Sequence, residues 1–189
     1  GSLVVDVGSN AGTLLKGFKA YGMDVCGVEP AENLAKMARA NDNFTVSEFF
    51  DVDTADKIAT VKDKARVITA TNVLTHVAKP ELFLEAVESL LRPEGVFIAE
   101  MYYLPRMLEN VAFDQVYHEH LSYFTLGHVV ALFAKTGLDV FHAEIVPVHG
   151  GSLRVYAARP GVHPPTREYM RLLDSEAQTL TLQDRCDHF

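Results

Sequence analysis

Leu3-Val4-Val5-Asp6-Val7-Gly8-Ser9-Asn10-Ala11-Gly12 is the stretch whose reading decides the fold. Leu3–Val7 is a short apolar run, the glycine-punctuated segment after it is a tight turn, and Thr13–Tyr21 has helical spacing. Glycine lets a backbone approach a ligand closely, and a helix that starts directly after the turn offers free N–H groups. A dinucleotide fingerprint needs glycines spaced G-x-G-x-x-G. Here the loop reads G-x-N-x-G, with Asp6 two residues ahead of Gly8. That carboxylate repels a pyrophosphate and suits a cation such as the ammonium group of S-adenosylmethionine. The plain alternative is a strand–helix connection without a ligand. An NAD-binding oxidoreductase is the rival of a different class, and both the missing middle glycine and Asp6 count against it.

Outward from this unit, strands and helices alternate. Val25–Glu29 reads as a strand, Ala31–Ala40 as a helix after Pro30, Phe44–Val46 as a strand and Arg66–Asn72 as another. A helix near Glu81–Leu91 stops at Pro93-Glu94-Gly95, and Val96–Met101 is the fifth strand. Leu126–Thr136 reads as a helix ending at Gly137. Val140–Val146 and Leu153–Ala158 are two strands joined by His149-Gly150-Gly151. Alternation implies an α/β fold whose sheet is mostly parallel and covered on both faces, while the short last connection requires a hairpin. This is the expected outline of a class I S-adenosylmethionine methyltransferase, a Rossmann-like seven-stranded sheet with an antiparallel C-terminal hairpin strand. Pro160, Pro164 and Pro165 mark a linker, and Arg167–Asp184 has the pattern of an amphipathic helix carrying Leu172, Leu173 and Leu180, with no evident partner in the sequence. Residues 1–159 are therefore expected to form the main domain and 160–189 a linker and helix.

Composition narrows the chemistry. The chain has 189 residues, 48% apolar and 22% charged, as an ordinary folded domain does. A net charge of −8 without any basic stripe argues against nucleic acid as the partner. Cys26 and Cys186 are too few for a zinc site or a disulfide framework, so no metal is expected and a reducing, cytoplasmic location is. No apolar run reaches the length of a membrane span.

The expected cofactor site gathers Asp6, Gly8, Ser9, Asn10 and Gly12 with Glu29 and Pro30, Phe50, Asn72 and Val73. Glu29 closes the second strand at the distance expected of a ribose-binding acid. Phe49-Phe50-Asp51 is the natural adenine edge, and Asn72 ends the fourth strand at the same crevice.

Beyond the fifth strand lies Val116-Tyr117-His118-Glu119-His120-Leu121-Ser122-Tyr123-Phe124. So many polar heads are poor packing material if buried, since each then needs a partner. They are good chemistry, because histidine titrates near neutral pH and Glu or Tyr can orient it. His128, His142, His163 and His188 have no motif around them and read as surface or structural residues.

Taken together, Asp6–Gly12, Asn72-Val73-Leu74-Thr75-His76-Val77, Phe113–His120 and His149-Gly150-Gly151-Ser152-Leu153-Arg154 resemble the sugar C-methyltransferases, which act on nucleotide-linked 4-keto deoxysugars. The resemblance covers residues from about Leu3 to Ala158. That family ordinarily carries an N-terminal cysteine-rich zinc domain and a further C-terminal α/β domain, so the chain is expected to be its catalytic core. The resemblance implies methylation of the carbon next to a ketone through an enolate. It implies His120 as the general base, Glu119 and Tyr117 as residues that orient it or hold the sugar, and His76 as a donor to the enolate oxygen. His118 is expected to point away. Gly150, Gly151, Ser152 and Arg154 are expected near the substrate. An O- or N-methyltransferase of another small metabolite, and a cofactor-binding fragment without activity, are the alternatives.

Overall fold

A computed structural model describes residues 1–178. In chain order its elements are β1 Leu3–Val7, α1 Thr13–Ala20, β2 Asp24–Val28, α2 Glu32–Ala40, β3 Thr45–Val46, α3 Val52–Lys62, β4 Ala65–Thr71, α4 Pro80–Leu90, β5 Leu91–Tyr102, α5 Leu104–Glu109, α6 Leu126–Ala134, β6 Asp139–Val146, β7 Ser152–Ala158 and α7 Arg167–Gln178. One seven-stranded sheet runs β3-β2-β1-β4-β5-β7-β6. Strands β1 to β5 are mutually parallel, and β7 inserts antiparallel between β5 and β6. The α/β class, the strand count and the closing hairpin are those expected from the sequence.

All five residues of β1 are buried, because helices cover both faces of the sheet. The strand order reverses between β1 and β4, and a crevice opens at the carboxyl ends of the strands there, the usual ligand position in open α/β sheets.

Three details differ from the expected outline. Helix α3 stands outside the expected elements, since Val52–Lys62 has little apolar periodicity; its N-terminus is held by Asp51, whose carboxylate accepts from Thr54 N at 2.8 Å. Strand β5 begins at Leu91 rather than Val96. Leu91 pairs with Ala65 and pairing resumes at Val96 with Val67, so Arg92–Gly95 bulge out and Pro93 needs no ladder N–H. The last helix does have partners. Glu176 accepts hydrogen bonds from Leu126 N and Gly127 N at 2.7 Å each and from the Tyr103 hydroxyl at 2.7 Å, while Leu172 and Leu173 pack on the core. A carboxylate from α7 thus satisfies the free N–H groups at the start of α6. Leu180, Cys186, His188 and the stretch of the expected helix beyond Gln178 lie outside the described residues. Among the described residues no helix is long and apolar enough to cross a membrane.

Candidate active site

A cleft of about 1230 Å³ lies at the carboxyl ends of β1, β2 and β4, walled by Asp6, Gly8, Ser9, Asn10, Glu29, Pro30, Phe50, Asn72 and Val73, among others. Nine of the ten residues expected at the cofactor thus meet there. Gly12, the tenth, sits behind the loop against the Asn43 side chain. Two glycines are required by the local geometry. Gly8 has φ +71°, and a Cβ there would come within 2.6 Å of Val73 Cγ2; Gly12 has φ +80° and leads directly into α1.

Two carboxylates dominate the cleft floor. Glu29, 6% exposed, accepts from Asn10 N at 3.0 Å and Ala31 N at 2.9 Å, which fixes its head at the end of β2. Asp6, 4% exposed, accepts from the Thr69 hydroxyl at 2.6 Å. Burial pushes the Asp6 carboxyl up to about 6, opposed by the Thr69 hydrogen bond and reinforced by the charge of Glu29. Asn72 has φ +55°, and its Oδ1 is buried without a hydrogen-bond partner. The Phe50 ring is held edge-on to Phe83 with centroids 5.3 Å apart.

These features suit S-adenosylmethionine. Asp6 and the unpaired Asn72 oxygen offer negative potential to a cationic methionine moiety, Glu29 offers acceptors to ribose hydroxyls, and Phe50 offers an apolar edge to adenine. They do not suit a pyrophosphate, since Asp6, Glu29 and Glu100 all line the cleft and its one cationic wall residue, Arg154, is already paired.

The second group of residues stands at the mouth of this cleft. A short 3-10 turn, Leu74–His76, follows β4 and brings His76 to the wall. The loop after β5 folds back over that turn, fastened by Leu121 N and Ser122 N donating to Thr75 O at 2.8 and 3.3 Å. It places the His120 ring 5.0 Å from that of His76 and 4.2 Å from that of Tyr117. His120 is 6% exposed. Its Nδ1 lies 2.7 Å from Gln115 O, and His76 Nδ1 lies 2.9 Å from Glu119 O. A carbonyl can only accept, so each Nδ1 carries a proton, and in the neutral tautomer that this bond selects Nε2 is the nitrogen free to accept. The Glu119 side chain stands in solvent, nearest to His118 at 4.0 Å, and touches the pair through its main-chain carbonyl alone. His118 is the most exposed of the run, as expected.

The residues of the β6–β7 hairpin separate. Arg154 reaches the cleft wall but is held by Glu100 at 2.7 Å and Glu144 at 3.4 Å. Ser152 is buried and donates to Val148 O at 3.1 Å. Gly150 O accepts from Asn110 Nδ2 at 2.9 Å, and Gly151 packs on the stem of Arg106, so this turn braces α5 rather than lining the cleft. His128 and His142 bond to Thr125 and Thr166, and His163 packs on Phe141, consistent with structural roles.

Four contributors lie outside the set expected from the sequence. Thr69 tunes Asp6, and Glu100 holds Arg154. Gln115 orients His120 through its carbonyl, and Tyr102 packs beside that ring. The first two follow a usable signal, a polar residue inside an otherwise apolar strand. Gln115 acts through the main chain, where side-chain identity says nothing.

Comparison with known proteins agrees with this geometry. A family model described as a methyltransferase domain matches residues 1–143. The C-methyltransferase NovU of Streptomyces niveus is 40% identical over 84% of this chain, which spans 38% of that relative's length. An S-adenosylmethionine dependent methyltransferase structure from Mesorhizobium loti superposes with TM-score 0.65 at 18% identity, over 84% of this chain and 91% of that one. The magnesium protoporphyrin IX methyltransferase of Synechocystis, solved with bound S-adenosylmethionine, superposes with TM-score 0.61 at 15% identity, over 84% and 70%. With a parallel sheet closed by an antiparallel strand, an acidic cleft at its switch point and a matching family model, the chain belongs to the methyltransferase-domain family, and its cofactor is S-adenosylmethionine.

Proposed function

We propose that this chain is the catalytic core of a C-methyltransferase that methylates the carbon next to a ketone in a nucleotide-linked deoxysugar. The observation that carries the reading is the pair His76 and His120, whose rings lie 5.0 Å apart at the mouth of the cofactor cleft, each anchored through Nδ1 to a carbonyl. Carbon beside a ketone is not nucleophilic until its proton is removed, so such a site needs a buried, oriented base. His120 Nε2 fills that role: the proton moves to Nε2, and the C–H electron pair becomes the enolate. Bound S-adenosylmethionine supplies an electrophilic methyl group. His76, at the cleft wall beside the base, borders the developing oxygen, and Tyr117, packed on His120, holds the base and borders the sugar. The 40% identity to NovU, whose name specifies C-methylation, supports the same reading.

The test is deuterium exchange from solvent into the acceptor carbon beside the ketone, with S-adenosylhomocysteine bound and a dTDP-linked 4-keto-6-deoxyhexose as acceptor. The expected result is exchange by the wild type, and loss of both exchange and methylation in His120→Ala with S-adenosylhomocysteine affinity kept. Methylation at the wild-type rate by that variant removes His120 from the role of base.

A further inference from the structure

We propose that Tyr102 is a further catalytic residue, its phenol donating a hydrogen bond to the oxygen of the enolate; this rests on the C-methylation reading above. Tyr102 closes β5, two residues after Glu100, so strand alternation puts it on the same face as Glu100, which lines the cleft, while Met101 between them is buried in the core. Its ring is clasped by two imidazoles, that of His120 at 4.8 Å and that of His149 at 5.2 Å. His149 belongs to the β6–β7 turn, where φ +50° directs it back toward Asn72, its Nε2 lying 3.4 Å from Asn72 Nδ2. The Tyr102 ring therefore stands beside the proposed base, and His149 links it to Asn72 of the cleft wall. Tyr102 is only 9% exposed, and among the described residues no hydrogen bond reaches its hydroxyl. That of Tyr123, in the same cluster, is given to Gln115 O at 3.3 Å.

A neutral imidazole has one N–H, and His76 and His120 have each given theirs to a carbonyl. Neither can then donate from Nε2 unless it takes up a second proton. A requirement for one imidazolium next to one neutral base 5.0 Å away restricts activity to a narrow pH window. An ordinary phenol keeps its proton up to about pH 10, well above the range in which an ordinary imidazole titrates. Burial raises the Tyr102 hydroxyl above its ordinary value, and Tyr117 and Asp114 reinforce this. The groups that face it are His120, Tyr117 and Asp114 from the loop after β5, His149 from the hairpin turn, and Glu100 on its own strand. The contact is a hydrogen bond only: the phenol proton stays on oxygen, and the proton taken from carbon stays on His120.

Tyr102→Phe keeps the ring between the two imidazoles and removes the hydroxyl alone. The assay is deuterium exchange into the dTDP-linked 4-keto-6-deoxyhexose with S-adenosylhomocysteine bound, beside a calorimetric titration of S-adenosylhomocysteine. Exchange is expected to slow by roughly 100-fold, the usual loss on removing one oxyanion donor, with cofactor-product affinity unchanged. The wild-type rate should rise with pH to a plateau that ends only at the alkaline pH where the Tyr102 phenol ionises. Exchange by Tyr102→Phe at the wild-type rate overturns the role of Tyr102 and leaves C-methylation standing, whereas no exchange by the wild type overturns C-methylation itself. A wild-type profile that already falls within the range of imidazole titration assigns the donor to His76 instead. Should Tyr102→Phe lose S-adenosylhomocysteine binding, 3-fluorotyrosine placed at Tyr102 keeps the shape and acidifies the hydroxyl. The alkaline fall in exchange is then expected at lower pH, and an unmoved profile overturns the proposal.

Discussion

Asp6→Asn should make the free protein more stable at neutral pH while it weakens cofactor binding. The Asp6 carboxyl is lifted from 3.8 to about 6 in the free protein, chiefly by burial. At about 1.4 kcal/mol per pKa unit, ionising it in the folded state costs about 3 kcal/mol more than in the unfolded chain. The sign follows from proton binding. Between pH 3.8 and about 6 the folded state holds the proton more often than the unfolded one, so stability falls as pH rises through that window. Above it, the full penalty persists. Asparagine keeps the shape and the acceptor for the Thr69 hydroxyl but carries no charge, so urea unfolding at pH 7.5 should show a gain of up to about 3 kcal/mol. The cofactor reverses the balance, because a bound cation favours the ionised carboxylate. At pH 5 about one free molecule in eleven has Asp6 ionised, given a value of about 6, so the calorimetric Kd for S-adenosylmethionine should be about tenfold weaker than at pH 7.5. A Kd that is flat over this range, or a dependence that survives in Asp6→Asn, refutes the assignment to Asp6.

Two further outcomes follow from packing. Gly8→Ala places a methyl group within 2.6 Å of Val73 at φ +71°, so it should lower stability by about 1–3 kcal/mol in urea unfolding and weaken S-adenosylhomocysteine binding through the displaced loop. Glu176→Ala removes the acceptor for Leu126 N, Gly127 N and the Tyr103 hydroxyl, with an expected loss of about 1–2 kcal/mol that thermal melting would reveal as a lower Tm while S-adenosylhomocysteine affinity is unchanged.

The cofactor half of the site was legible from residues 3–72 because its parts are local. A loop that must enter α1 at positive φ calls for glycine at Gly8 and Gly12, and acids at strand ends point into the crevice by the parity of the strand. Glu29, Asp6 and Asn72 could therefore be placed from spacing alone. The proposed substrate half was legible only as a list. Tyr117, His118, Glu119 and His120 are consecutive, yet the loop exposes His118, spends Glu119 through its carbonyl and buries His120, a division set by hydrogen bonds to Thr75 and Gln115. The hairpin residues Gly150, Gly151 and Ser152 carry a motif but serve to brace α5, while Arg154 reaches the cleft as half of an ion pair.

The order of apolar runs and turns by itself determined a parallel sheet with a closing hairpin and an acidic, glycine-looped cofactor end. Burial on both faces and the lengths of the connections leave few other ways to pack such a chain. Only the tertiary structure decided which histidine nitrogen is free, which carboxylates are already spent, and that Tyr102 stands between His120 and His149. Several of those properties depend on contacts between residues distant in the chain, 77 positions apart for Asn72 with His149 and 18 for Tyr102 with His120. Several of them run through main-chain carbonyls, which every residue possesses and no sequence pattern distinguishes.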